Sequence, residues 1–235
     1  MNRLQQTLGL TKPPIAVGFF DDEAPAGVEQ WAGGAVPAGC SFWREAMEGR
    51  TFYTVSADHC NCAVGAHTHN MAQPAGRETA LPDTLDFMIQ TGYLQMVEVP
   101  MIPVLPKAPR FVAYGPAEDG RFRADVVVIA ARPAEMMLIY EAALRSGAGN
   151  LATPALGRPA CAALPMALNS GFSALSFGCK GNRTFTGLPD DELYLAIPGT
   201  KWEAVVEALL TIAAANNTMA DHYRKHEAAV RGLAQ

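Results

Sequence analysis

The chain has no run of about 18 apolar residues, the length a helix needs to cross a bilayer. It has no surplus of basic charge either: 18 Lys and Arg stand against 23 Asp and Glu, for a net charge of −5. Such a balance offers no cationic face to a phosphate backbone, so nucleic acid is not expected as the main partner. No Cys-x-x-Cys occurs, which removes the usual zinc and dithiol spacings. Gly-x-Ser-x-Gly, Gly-x-Gly-x-x-Gly and the Gly-x-x-x-x-Gly-Lys phosphate loop are also missing. The first ten residues lack the apolar core of a secretory signal, and the expected location is the cytoplasm. Five cysteines, an odd number in a reducing compartment, argue against a disulfide framework.

What is present suits a globular chain. Apolar residues make up 49% of 235 and charged residues 17%, enough to bury a substantial core in one domain. The pattern predicts a mixed α+β fold. Strands are expected at 15–20, 51–55, 111–114, 125–131, 174–177 and 192–197. The run 125–131 is apolar almost throughout, as in a strand covered on both faces. Helices are expected at 2–8, 41–48, from 83, at 133–146 and 162–169, and from 200 onward. The last has Thr200 as N-cap and Glu203 in the capping-box position, with Asn216-Asn217 as an interruption. The Pro-rich segment 100–109 cannot be a central strand and reads as a linker between halves 1–99 and 110–200, the C-terminal helices following at 200–235.

The cysteines lie in a repeated order. Cys40 opens a short helix that is followed by a glycine, a strand, Cys62 and Gly65. Cys161 opens another, followed by Gly171, a strand, Cys179 and Gly181. A buried-type strand precedes each arm. This predicts two degenerate halves, each strand–helix–strand, whose four thiols meet at their junction. Gly178 and Gly181 flank Cys179 and let backbone amides close around a bound atom. Lys180 and Arg183 stand beside the thiol and favour its thiolate. A second dense patch holds His59, Cys60, Cys62, His67 and His69 within 11 residues, a thiolate–imidazole set of the kind that binds zinc, copper or iron. The i, i+4 pair His222 and His226 lies among charges and reads as solvated surface. Asp190, Asp191 and Glu192 read as a polar turn.

The segments Cys40-Ser-Phe-Trp-Arg-Glu-Ala, Asp58-His-Cys-Asn-Cys-Ala-Val-Gly65, Gly178-Cys-Lys-Gly-Asn-Arg-Thr184 and Leu188-Pro-Asp-Asp-Glu-Leu-Tyr-Leu-Ala-Ile-Pro-Gly199 resemble the uncharacterised ArCR family, domain of unknown function 169. The likeness spans most of the chain from about Pro14. It implies no activity, but it marks Cys40, Cys62, Cys161 and Cys179 as the cysteines such proteins carry, with Cys60 extra. His67 and His69 stand where the family has small and apolar residues.

Three functional readings follow. In the preferred one, Cys40, Cys62, Cys161 and Cys179 hold a 4Fe-4S cluster for electron transfer, sensing or cofactor-assisted chemistry, and Lys180 and Arg183 offset its charge. A second places structural zinc on the same thiolates. A third has no metal: a binding protein or enzyme with an activated thiol at Cys179 and a pocket between the halves. The expected partner is a redox protein or a small molecule.

Overall fold

In the computed structural model, residues 3–73 and 75–233 are described. Asn2, where the sequence places the start of the first helix, lies outside them, as do the chain's last two residues. The chain is mixed α+β and is organised on one seven-stranded sheet. In chain order the elements are α1 (Arg3–Leu8), β1 (Ile15–Phe20), α2 (Ser41–Met47), β2 (Phe52–Thr54), α3 (Ala63–Thr68), α4 (Ala80–Gln90), β3 (Phe111–Pro116) and β4 (Val126–Ala131). Then come α5 (Pro133–Arg145), β5 (Ala155–Leu156), α6 (Ala163–Ser170), β6 (Ala174–Ser176), α7 (Lys180–Thr186), β7 (Leu193–Pro198) and α8 (Trp202–Leu233).

The strand order is β2-β3-β1-β4-β7-β6-β5. All neighbours are antiparallel except β5 and β6. Register puts Val126 opposite Pro198 and Ala131 opposite Leu193, so β4 and β7 pair along their whole length. Their side chains alternate between two cores. Val126, Val128, Ala130, Tyr194 and Ala196 face one core, which contains α2 and α6. Ile129, Ala131, Leu195 and Ile197 face the other, with α1, α5 and α8. This is the period-2 geometry of a strand buried on both faces, and it explains why 126–131 lacks polar residues.

The expected duplication of halves is not established. The chain from β4 enters α5 at once, whereas β1 runs into a long stretch without a helix, and β5 has no counterpart beside β2. The segment 100–109 is tied to the body: Leu105 is buried, its N–H donates to the Thr68 carbonyl at 2.9 Å, and its own carbonyl accepts from Asn70 Nδ2 at 3.0 Å. At the C-terminus α8 runs unbroken through Asn216-Asn217. Two asparagines cost a helix about 0.7 kcal/mol each at most, too little to break 32 residues. The start also differs: a 3-10 turn at 199–201 precedes Trp202, so Thr200 is not the cap.

Candidate functional site

The site lies at the N-termini of four helices on the α2/α6 side of the sheet. Cys40 is the N-cap of α2, and Cys161 lies in the 3-10 turn that leads into α6. Both are buried. Cys62 and Cys179 are N-caps of α3 and α7 and are only partly covered. Each caps in the same way: the Cys62 sulfur accepts the Gly65 N–H at 3.3 Å, and the Cys179 sulfur accepts the Asn182 N–H at 3.4 Å. A thiol here does the work that a Ser or Asp oxygen does at most helix starts.

All four sulfurs' residues line one cavity of about 540 Å³. Its floor is the thiols, and one wall is α3 with Val64. Its roof is α4, with Leu85 and Met88 facing inward. Lys180, Gly181 and Asn182 of α7 lie on the wall beside Cys179. Gly178 and Arg183 stand next to this wall without lining it. Gly178 has φ of +74°, and an added Cβ would lie 3.1 Å from Asn182 Oδ1, so the turn into Cys179 needs glycine. The Arg183 guanidinium is spent elsewhere, donating to the carbonyls of Phe177, Pro189 and Glu192 at 2.6, 2.6 and 2.8 Å. It clamps the loop between α7 and β7.

Two thiols of the floor, Cys40 and Cys161, are held in the neutral form. Burial pushes Cys40 up to about 12, and the nearby thiols of Cys62 and Cys179 add to the rise. Burial pushes Cys161 well above the ordinary thiol range, again with Cys62, Cys40 and Cys179 close enough to contribute, while the Thr68 hydroxyl opposes it. Tyr114 and Tyr194 stand behind them. Burial lifts both phenols, Tyr194 to about 12, and the Cys40 thiol adds to each. The Asn182 side chain lies beside the Cys40 sulfur and the Tyr194 hydroxyl and offsets part of their rise. Its contact geometry nonetheless leaves both amide atoms without a completed hydrogen bond.

Apart from Cys62, the residues of the second polar patch do not line this cavity. His59 and His69 are buried with ring centroids 5.5 Å apart, His59 against Phe42 and His69 against Phe19. His67 is partly covered, and burial alone lowers its basicity. Cys60 is partly exposed, and its carbonyl accepts from Arg77 at 3.0 Å. His222 and His226 sit on the exposed outer half of α8.

These placements correct the metal reading. Among the described residues, no group of three or more His, Cys, Asp or Glu is arranged to hold a metal ion. That holds for Cys40, Cys62, Cys161 and Cys179 and equally for His59, Cys60, His67 and His69. The physical reason is that the four thiols border a space large enough for a molecule, and two of them already serve as helix caps. The iron–sulfur function and its zinc alternative are therefore withdrawn.

Sequence reasoning missed α3 and α7, the roof α4 as a cavity element, and the residues Tyr93, Arg158 and Asn182. The short helices carry Gly65 and Gly181 inside them and no apolar stripe, so periodicity could not find them. The Asn-Cys-Ala and Gly-Cys-Lys junctions were the available signal, with a glycine or asparagine amide three residues after each thiol.

Gly65 tests the capping geometry. A Cβ there would lie 2.8 Å from the Cys62 sulfur. Gly65→Ala is expected to turn that thiol off its N–H and into the cavity, raising Cys62 alkylation by N-ethylmaleimide a few-fold while Cys179 keeps its rate. Loss of one weak hydrogen bond, about 1 kcal/mol, is balanced by the better helix propensity of Ala, so the urea midpoint stays nearly constant. Peptide mass mapping reads the two rates, and an unchanged Cys62 rate would refute the capping geometry.

A sheet covered on both faces, with a thiol-floored cavity of about 540 Å³ at converging helix starts, defines an α+β protein with a cavity of small-molecule size. The family model of domain of unknown function 169, the uncharacterised ArCR family, matches residues 3–208, and the chain belongs to that family. No curated protein and no solved structure matches it.

Proposed function

We propose that this chain is a small-molecule-binding protein that takes a predominantly apolar ligand into the cavity between α4 and the four thiols. The observation that carries this reading is α4 itself. It is amphipathic and has 11 residues, yet none of them is buried. An apolar helix face in a folded protein normally rests on a core. Here Leu85 and Met88 rest on the 540 Å³ space, and a ligand would complete the packing. The volume lies within the range of small-molecule sites, and the lining is mostly aliphatic and aromatic with a few polar groups, as such sites require.

The test uses the neutral fluorescent probe N-phenyl-1-naphthylamine. Its emission is expected to rise and saturate at one equivalent per chain. Val64→Trp fills the wall under α4 and is expected to weaken binding at least about tenfold, equivalent to 1.4 kcal/mol. Leu85→Trp does the same from the roof. Circular dichroism confirms that either variant is folded. A probe that fails to bind the wild-type chain, or that binds both folded variants unchanged, overturns the reading.

A further inference from the structure

The cavity has a charge of one sign. Among its lining residues are two cations, Arg158 and Lys180, and no Asp or Glu. This is notable in a chain whose net charge is −5. Tyr93 touches both residues, Lys180 through its backbone and Arg158 through its guanidinium. The Tyr93 hydroxyl accepts the Lys180 backbone N–H at 3.2 Å, and the Arg158 guanidinium lies 4.9 Å from the Tyr93 ring centroid. They differ in how far they are already neutralised. Arg158 contacts both carboxylate oxygens of Glu98, at 3.5 and 3.4 Å. Among the described residues no carboxylate pairs with the Lys180 ammonium. Lys180, which is exposed to solvent, is therefore the lining cation left without a carboxylate partner.

A second, independent observation points to a polar group on the ligand. Asn182 lies on the same wall, two residues along α7 from Lys180, and is 1% exposed. Neither its amide oxygen nor its amide nitrogen has a hydrogen-bond partner. Buried amides are almost always satisfied; this one has the Cys40 sulfur and the Tyr194 hydroxyl nearby but completes no hydrogen bond with either, which leaves it able to donate to or accept from a ligand.

We infer that the ligand is a monoanionic amphiphile, a carboxylate on an aliphatic body: the carboxylate sits by Lys180 and Asn182, and the body lies under α4 along Leu85, Met88 and Val64. This rests on the reading that the cavity binds a small molecule. One negative charge is specified because one lining cation is left without a carboxylate partner. An aliphatic body is specified because the rest of the lining offers few polar partners. The second ion of a dianion would have to share Arg158 with Glu98.

The experiment is displacement of N-phenyl-1-naphthylamine by decanoate and by decanol, at a pH where decanoate is ionised. Decanoate is expected to displace the probe at a concentration about tenfold below that needed for decanol, the ratio that one charge-assisted contact supplies. Lys180→Gln is expected to shrink that ratio toward one, and Lys180→Arg to keep most of it. If the probe binds but decanoate and decanol compete equally, or if Lys180→Gln leaves the ratio untouched, the anion assignment fails and the apolar cavity stands. If the probe does not bind at all, the cavity reading fails and the assignment with it.

Discussion

Lowering the pH from 7 to 4 is expected to cost this protein about 3 kcal/mol of stability through His59 alone. The tautomers follow from the contacts. Thr54 donates its one hydroxyl proton to the Val112 carbonyl at 3.1 Å, so the 2.9 Å contact between Thr54 Oγ1 and His59 Nε2 has the ring nitrogen as donor. His59 Nδ1 is then a bare lone pair, and it has no partner. At His69 the Gly65 carbonyl, 2.8 Å away, can only accept, so Nδ1 carries the proton and Nε2 is bare and unpartnered. Protonating either ring would place an unpaired N–H and a charge among Phe19, Phe42 and the other imidazole. Burial, followed by the neighbouring His69, pushes His59 down to about 3, and burial lowers His69 as well.

The sign follows from where protons bind. Between about pH 6.5 and 3 the unfolded chain holds a proton on this residue and the folded chain does not, so stability falls as pH falls, by about 1.4 kcal/mol per unit. Against a typical total of about 5–15 kcal/mol, that is a large share. Urea midpoints at pH 7, 5.5 and 4 measure it. His59→Gln keeps a donor for Thr54 and cannot be charged, so its midpoints should fall less steeply than those of the wild type. Equal slopes for the two proteins would mean that His59 is not held neutral.

Trp43→Ala is expected to cost about 3–5 kcal/mol, the range for deleting a large aromatic side chain from a core. Trp43 is 1% exposed on α2 and meets Tyr194 of β7 edge to face, with centroids 5.3 Å apart and planes at 88°. It thereby joins the helix that Cys40 caps to a central strand from far along the chain, and Tyr194 in turn stands behind the thiol floor. The loss should appear as a lower urea midpoint and, at the same time, as faster alkylation of Cys40, because the cavity left behind loosens α2. A cost under about 1 kcal/mol would show that neighbouring side chains collapse into the gap.

Much of the sheet was legible because burial on both faces leaves a plain mark: 15–20, 126–131 and 193–198 are apolar almost without interruption. The helices α2, α5 and α6 were legible from proline, glycine and apolar spacing around them. The four cysteines could be singled out, and they do border one space. What spacing could not convey was distance. A thiolate set for a metal and a ring of thiols around a cavity have the same order along the chain, and only the positions of α3 and α7 separate them. Nor could the cavity be read. Leu85 and Met88 form the same stripe whether a helix lies on packed side chains or over a gap. The caps were hidden for a related reason, since cysteine is not among the residues expected at helix starts, and α3 and α7 are too short to declare themselves.

The outer half of α8 has a separate consequence. Beyond Ala213 the helix leaves the core, its residues turn almost wholly to solvent, and the family match has already ended at residue 208. Some twenty residues at 1.5 Å each extend roughly 30 Å, and little but backbone hydrogen bonding and side-chain ion pairs such as Glu227 with Arg231 holds them. Limited proteolysis should therefore trim this rod first and release a fragment that still tumbles, melts and fluoresces as the parent does.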